Sequence, residues 1–221
     1  MTGLTIDPGT NSVWRVDHRN VSKDSVSNET SPMAEVTLVA ALEKAGTLNG
    51  MCQLGQSDHM LIMADSADGT IWNLDVNTGL HEIVINQPIL KHIPQGLQFG
   101  VDGVHTHDSD LFFTNFNQGL FAKIPVSPIW GNATGPAELI VNGTAGDDFV
   151  LSPDGTVDIA MKSSRVIAES SALSEAASVT IGRTKWDRNS LYVASGGVVN
   201  PRGNGTRSEG IVARIDLPNA I

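Results

Sequence analysis

Along residues 48–85, apolar and polar positions alternate in four short runs separated by turns. The runs are Leu48-Asn-Gly-Met-Cys-Gln-Leu54, Leu61-Ile-Met-Ala-Asp65, Gly69-Thr-Ile-Trp-Asn-Leu-Asp75 and His81-Glu-Ile-Val-Ile85. Asp68-Gly69 and Asn77-Thr78-Gly79 join the later runs, and such turns supply the positive φ that tight hairpins need. In the third run Ile71, Asn73 and Asp75 share one face and Trp72 and Leu74 the other, as a pleated strand requires. The pattern predicts a four-strand antiparallel meander. A lone meander cannot bury both of its faces, so copies of it are expected.

The order returns around 101–141 as Val101-Asp-Gly-Val104, Leu111-Phe-Phe-Thr-Asn115, Gly119-Leu-Phe-Ala-Lys-Ile124 and Ala137-Glu-Leu-Ile-Val141. A third copy starts at Asp147-Asp148-Phe149-Val150, passes Asp154-Gly155 into Thr156-Val-Asp-Ile-Ala160, and is eroded in its second half. A fourth runs from Ser178-Val-Thr-Ile-Gly182 through Leu191-Tyr-Val-Ala-Ser195 to Gly210-Ile-Val-Ala-Arg-Ile-Asp216. Near the N-terminus, Ser12-Val-Trp-Arg-Val-Asp17 repeats the third-strand phrase and Glu35-Val-Thr-Leu-Val39 the fourth. A four-strand repeat of roughly 45 residues is the signature of a β-propeller. The expectation is one all-β domain over 1–221, with a partial blade at 1–40 and blades at about 48–85, 101–141, 147–168 and 178–216. About four and a half blades suit a six-bladed ring whose N-terminal part is missing, because only closure removes unpaired sheet edges. Residues 165–177 read either as a short helix or as a degenerate strand with a loop, and 196–210 as a long loop.

Composition narrows the partners. A formal charge of −10 disfavours a nucleic-acid surface, where basic patches supply the affinity. No apolar run is long enough to span a bilayer. Cys52 is the single cysteine, which excludes an intrachain disulfide, and its place in a first strand reads as a small apolar group. Five Asn-x-Ser/Thr acceptor sites, at Asn20, Asn28, Asn132, Asn142 and Asn204, all fall in expected loops. They favour passage through the secretory pathway to an extracellular location, although no signal peptide stands behind Met1. A cytosolic chain with a polar, loop-rich surface is the alternative.

In a propeller the first strand of each blade lines the central channel. The four first-strand phrases place Asn49, Asp102, Asp147-Asp148 and Thr180 there. Carboxylates and an amide from separate blades can hold a hard divalent cation. They can equally position a polar organic substrate, with Asp102 or Asp148 as general acid or base. Alternatively, Asn and Asp at strand starts only cap turns. His105 and His107 would share one face of a strand as a two-ligand metal pair without an evident third ligand. Asp65-x-x-Asp68-Gly69 lacks the alternating acids of a calcium loop and reads as turn chemistry. Trp14 and Trp72 occupy matching third-strand positions and read as packing between blades.

Leu48-Asn49-Gly50, Leu61-Ile-Met-Ala-Asp65, Gly69-Thr-Ile-Trp-Asn-Leu-Asp75, Phe112-Phe-Thr-Asn115 and Asp147-Asp148-Phe149 together resemble the SMP-30/gluconolactonase-like six-bladed propellers, and in particular their fungal secreted branch. The resemblance covers most of residues 4–217. It implies either of two activities. Hydrolytic members are calcium- or zinc-dependent lactonases whose metal is held by a first-blade Glu and by Asn and Asp from channel strands. Asn49, Asp102 and Asp148 match those channel positions, with Asp102 where the family usually has Asn and the Glu lying outside this chain. The fungal branch also holds hetero-Diels–Alderases of secondary metabolism, which join a tropolone-derived quinone methide to a humulene-type sesquiterpene. Such an enzyme requires no cofactor; it needs a shaped pocket with a few donors to polarise the heterodiene. Under this reading Asn49, Asp102, Asp148 and Thr180 are the catalytic candidates, and the partner is a small-molecule substrate. A non-catalytic binding propeller is the third expectation.

Overall fold

Residues 9–19, 21, 34–55, 57–143, 146–151, 173, 176–196 and 210–217 are described by the structure, a computed structural model. They form thirteen strands and almost no helix, arranged as separate antiparallel sheets. Strands β1 (Ser12–Asp17) and β2 (Glu35–Ala41) pair with each other. Strands β3 (Leu48–Gln53), β4 (Met60–Asp65), β5 (Thr70–Asp75) and β6 (His81–Ile85) form a second sheet in chain order. The third sheet repeats that order with β7 (Val101–His107), β8 (Asp110–Asn115), β9 (Leu120–Pro125) and β10 (Glu138–Asn142). The fourth holds β11 (Ala176–Ile181), β12 (Ser190–Ser195) and β13 (Ile211–Asp216). The strand runs expected within the third copy after Asp154, the Leu4–Ile6 run, and the segment 165–175 fall outside the described residues apart from Leu173.

Turn chemistry sets the meanders. Gly69 (φ 58°) and Gly79 (φ 76°) take the left-handed conformation that their hairpins require. Strand β4 then carries its apolar residues to both faces, because each face meets another sheet. Ile62 and Ala64 join Ile71, Val101, Val104, Leu111 and Phe113 in the core between the second and third sheets. Met63 points the other way, with Trp72 and Leu74, against Ala40 and Leu42 of the first sheet. A strand buried on both faces reads as a continuous apolar run, which is how Leu61–Ala64 appears in the sequence.

The two matching tryptophans part company here. Trp72 is 5% exposed inside that second core, whereas Trp14 is 55% exposed and its indole N–H donates to Ser12 Oγ at 2.8 Å. The expectation of inter-sheet packing therefore holds for Trp72 and not for Trp14. Burial follows from the sheet laid over a position, and Trp14 shares its outward face with Leu38, its register partner, and with Val16 and Val36, all exposed.

The last residue of β4 and that of β8 each tie a linker to their sheet. Asp65, fully buried, accepts hydrogen bonds from the backbone N–H groups of Gly46 (2.8 Å), Thr47 (2.9 Å) and Asp68 (3.2 Å). Asn115, in the equivalent place, donates to the carbonyls of Ile89 (3.0 Å) and Lys91 (2.8 Å) and accepts from Gln118 N–H (3.0 Å). Asp65 thus belongs to turn chemistry, as its surroundings in the sequence suggest.

Candidate functional site

The first strands of the second and third sheets approach one another, and the 147–148 segment, through glycines. A Cβ on Gly50 of β3 would overlap the carbonyl oxygen of Asp102 and stand 2.9 Å from Val104 N. One on Gly103 of β7 would stand 2.8 Å from the Asp147 carbonyl oxygen and 2.9 Å from Asp148 Cα. Gly103 N–H and Thr114 Oγ1 each donate to that Asp147 carbonyl at 3.0 Å. Asn49-Gly50 and Asp102-Gly103 are therefore one device used twice: a polar side chain, then a residue without a Cβ where the next inner segment lies against the strand.

These segments enclose a cavity of about 300 Å³ lined by β3, β7, the 147–148 segment and β11. Asn49, Asp102, Asp148 and Thr180 all line it, with Asp147, His105 and Ser178 beside them. Each inner strand has a register irregularity at this point: between Leu48 and Met51, between Val101 and Val104, and between Ala176 and Ser178. A bulge shifts the side-chain alternation by one residue. That is how Asp102 and His105, three apart on one strand, both reach the cavity. His107 lies instead in a separate surface groove with Thr106 and Asp108, so the two histidines do not converge.

Three carboxyl groups crowd the cavity with different electrostatics. Asp102 is 4% exposed, and burial, followed by repulsion from Asp147 and Asp148, pushes its carboxyl up to about 8. Asp147 is also raised, first by burial and also by Asp148, while a hydrogen bond with Asp102 acts against the shift. Burial acts to raise Asp148 too, but four hydrogen bonds outweigh it and hold this carboxylate below its ordinary range. The donors are His105 Nε2 (3.3 Å) and Phe149 N–H (2.8 Å) to Oδ1, and Ser178 Oγ (2.9 Å) and Val179 N–H (3.2 Å) to Oδ2. Asp148 so joins β7 to β11 across the 147–148 segment.

The two shifts act oppositely on stability. The folded chain keeps the Asp102 proton where the unfolded chain has released it, so this contribution declines as pH climbs from the usual carboxylate range towards about 8. The Asp148 contribution is present at neutral pH and lost as pH falls through its lowered pKa.

At neutral pH the raised pKa favours a protonated Asp102 hydrogen-bonded to Asp147, beside a strongly held carboxylate at Asp148 and the free polar groups of Asn49 and Thr180. Neither of those two side chains makes a hydrogen bond among the described residues. The walls also carry Met51, 54% exposed, with Val104, Ala177 and Val179. Among the described residues no three His, Cys, Asp or Glu side chains gather in a metal-holding arrangement. Cys52 is half-buried; burial pushes its thiol up to about 12, which leaves it protonated and unreactive. His105 and Ser178 are the cavity residues that the sequence pattern does not place there; Asp147 it places beside Asp148.

No protein-family model matches the chain. No curated protein matches it either. Among solved structures, it is similar to the computationally designed Ika8 protein at 13% identity and a TM-score of 0.29, over 74% of this chain and 37% of that one. The chain thus spans little more than a third of that designed protein's length, and a likeness this weak carries no argument about fold or function.

Proposed function

We propose that this chain is part of a six-bladed propeller of the SMP-30/gluconolactonase-like type, its four sheets being blades and its cavity the central channel. The observation that carries the functional reading is Asp102: a buried carboxyl crowded by Asp147 and Asp148, which favours its neutral form, in a cavity lined by both polar and apolar side chains. A neutral carboxylic acid donates a hydrogen bond where a carboxylate cannot, so a carbonyl oxygen that replaces Asp147 as the acceptor of the Asp102 proton is polarised. Asn49 and Thr180 add polar contacts, and Met51, Val104 and Val179 offer surface to a hydrocarbon. This combination suits a hetero-Diels–Alder reaction between a tropolone-type quinone methide and a sesquiterpene. The enzyme's work is then to hold two reactants in a near-attack geometry while Asp102 draws electron density towards the heterodiene oxygen. The exposed Asn49, Met51 and Thr180 leave the cavity open, so a bulky terpene extends outwards past Met51.

The cation-dependent lactonase reading fits these residues less well. A cation site needs carboxylate lone pairs free and aimed at one point. Both Asp148 oxygens are taken by protein donors, and Asp102 holds a proton against Asp147. Passage through the secretory pathway belongs to the same proposal; of the five acceptor sites, Asn132 and Asn142 are described and both are exposed. Among the described residues no helix is long and apolar enough to cross a membrane.

The test is turnover. Purified protein given a quinone-methide precursor and humulene is expected to raise the yield and stereoselectivity of the cycloadduct, read by chiral chromatography with mass detection. Asp102→Leu is expected to lower the rate by roughly 10²-fold, the usual effect of deleting one polarising donor. Equal yield and selectivity with and without protein would refute the reading. So would chelator-sensitive lactone hydrolysis at an enzymatic rate.

A further inference from the structure

The Asp148 carboxylate fixes more than a joint between strands. Each of its oxygens receives a backbone N–H that can only donate, Phe149 on Oδ1 and Val179 on Oδ2, and Ser178 Oγ adds a further bond; together they hold the carboxyl in its ionised, acceptor-only form. The His105 nitrogen facing it at 3.3 Å must then be the protonated one, Nε2–H. The ring is held edge-on by Phe149, with centroids 4.9 Å apart at 78°, and Phe149 in turn packs edge-on against Phe121 at 4.8 Å. In the neutral imidazole this leaves Nδ1 as an acceptor, and among the described residues Nδ1 makes no hydrogen bond.

We infer that His105, oriented by Asp148 and Phe149, is a specificity-determining residue whose Nδ1 accepts a hydrogen bond from a substrate hydroxyl. This rests on the proposed small-molecule site and adds the substrate class: a hydroxy-carbonyl compound, its carbonyl received by the Asp102 O–H and its hydroxyl by His105. The cavity then holds one donor and one acceptor brought together by the bulge in β7. A compound with the carbonyl but without the hydroxyl leaves Nδ1 unpaired. Asp148 acts through His105 and is a positioning residue.

The experiment uses tropolone and its O-methyl ether as probes, with binding followed by NMR of ¹⁵N-histidine and ¹³C-methyl-labelled protein. Wild type is expected to bind tropolone about tenfold more tightly than the ether, the factor that one hydrogen bond of about 1.4 kcal/mol gives. The Ala177 and Val179 methyl signals should move with both probes. His105→Leu should abolish the preference, and Asp148→Asn should weaken it while disturbing the Nε2–H tautomer. The ¹⁵N spectrum of unliganded wild type, which needs no variant to fold, should show His105 protonated at Nε2. Equal affinity for the two probes, an unchanged preference in His105→Leu, or a His105 protonated at Nδ1 overturns the inference while leaving the cavity reading intact. Cavity signals that neither probe moves overturn the small-molecule site and the inference together.

Discussion

Replacing Asp65 by Ala is expected to destabilise the fold by about 3–5 kcal/mol, the range for breaking a buried charged group's contacts. The size follows from what the side chain holds. Its two oxygens take three backbone N–H groups, two from the linker entering β3 and one from the turn into β5, in a place with no solvent access. Removing the carboxylate strands those donors and frees the 46–47 linker that leads into β3 of the second sheet. Asp65→Asn keeps an oxygen acceptor and should lose about half as much. Urea denaturation followed by tryptophan fluorescence measures both, since Trp72 lies in the adjoining core. A loss below about 1 kcal/mol for the alanine variant would show that solvent or rearranged backbone replaces these bonds.

Gly50→Ala carries the second large effect. The new methyl would overlap the Asp102 carbonyl and crowd Val104 N and Gly103 Cα, all of them backbone, which has no rotamer to yield. Strands β3 and β7 must separate, and we expect a cost of about 3 kcal/mol, the upper end for overpacking. The cavity should open at the same time, so probe binding should fall together with stability. Gly196→Ala is the matched control: among the described residues nothing lies within 4 Å of its added Cβ, and a change within about 0.5 kcal/mol is expected. Equal melting behaviour of the two variants would mean that the inner strands are not held as closely as described.

Much of this architecture can be read from the chain. Period-2 alternation, with the Asp68-Gly69 and Thr78-Gly79 turns of the second sheet, locates β3 to β10 within a residue or two except at the end of β7, which runs three residues past Val104 to His107. The recurring Asn49-Gly50 and Asp102-Gly103 pairs place two cavity residues, since the polar group and the missing Cβ answer one local geometry. His105 is not legible in that way. Strict alternation pairs it with His107, and only the register shift between Val101 and Val104, a property of how β7 meets β8, turns it to the Asp102 side. The Asp147-Asp148 pair is legible as cavity-lining, but the contacts of Asp147 are not: its carbonyl faces Gly103 while its carboxyl meets Asp102, an arrangement made by two segments 45 positions apart. Trp14 fails for a simpler reason. Its likeness to Trp72 is one of position within a phrase, and burial is decided by the neighbouring sheet.

The ¹³C titration of the Asp102 carboxyl, assigned by its disappearance in Asp102→Asn, tests most directly whether the inner segments close over a neutral acid. We expect its signal to remain that of the protonated form at pH 6, where exposed carboxyls are already ionised, and to change only as the pH approaches about 8. An ordinary transition near pH 4, superimposed on those of exposed aspartates, would mean that Asp102 meets bulk water and would contradict the cavity and the chemistry built on it.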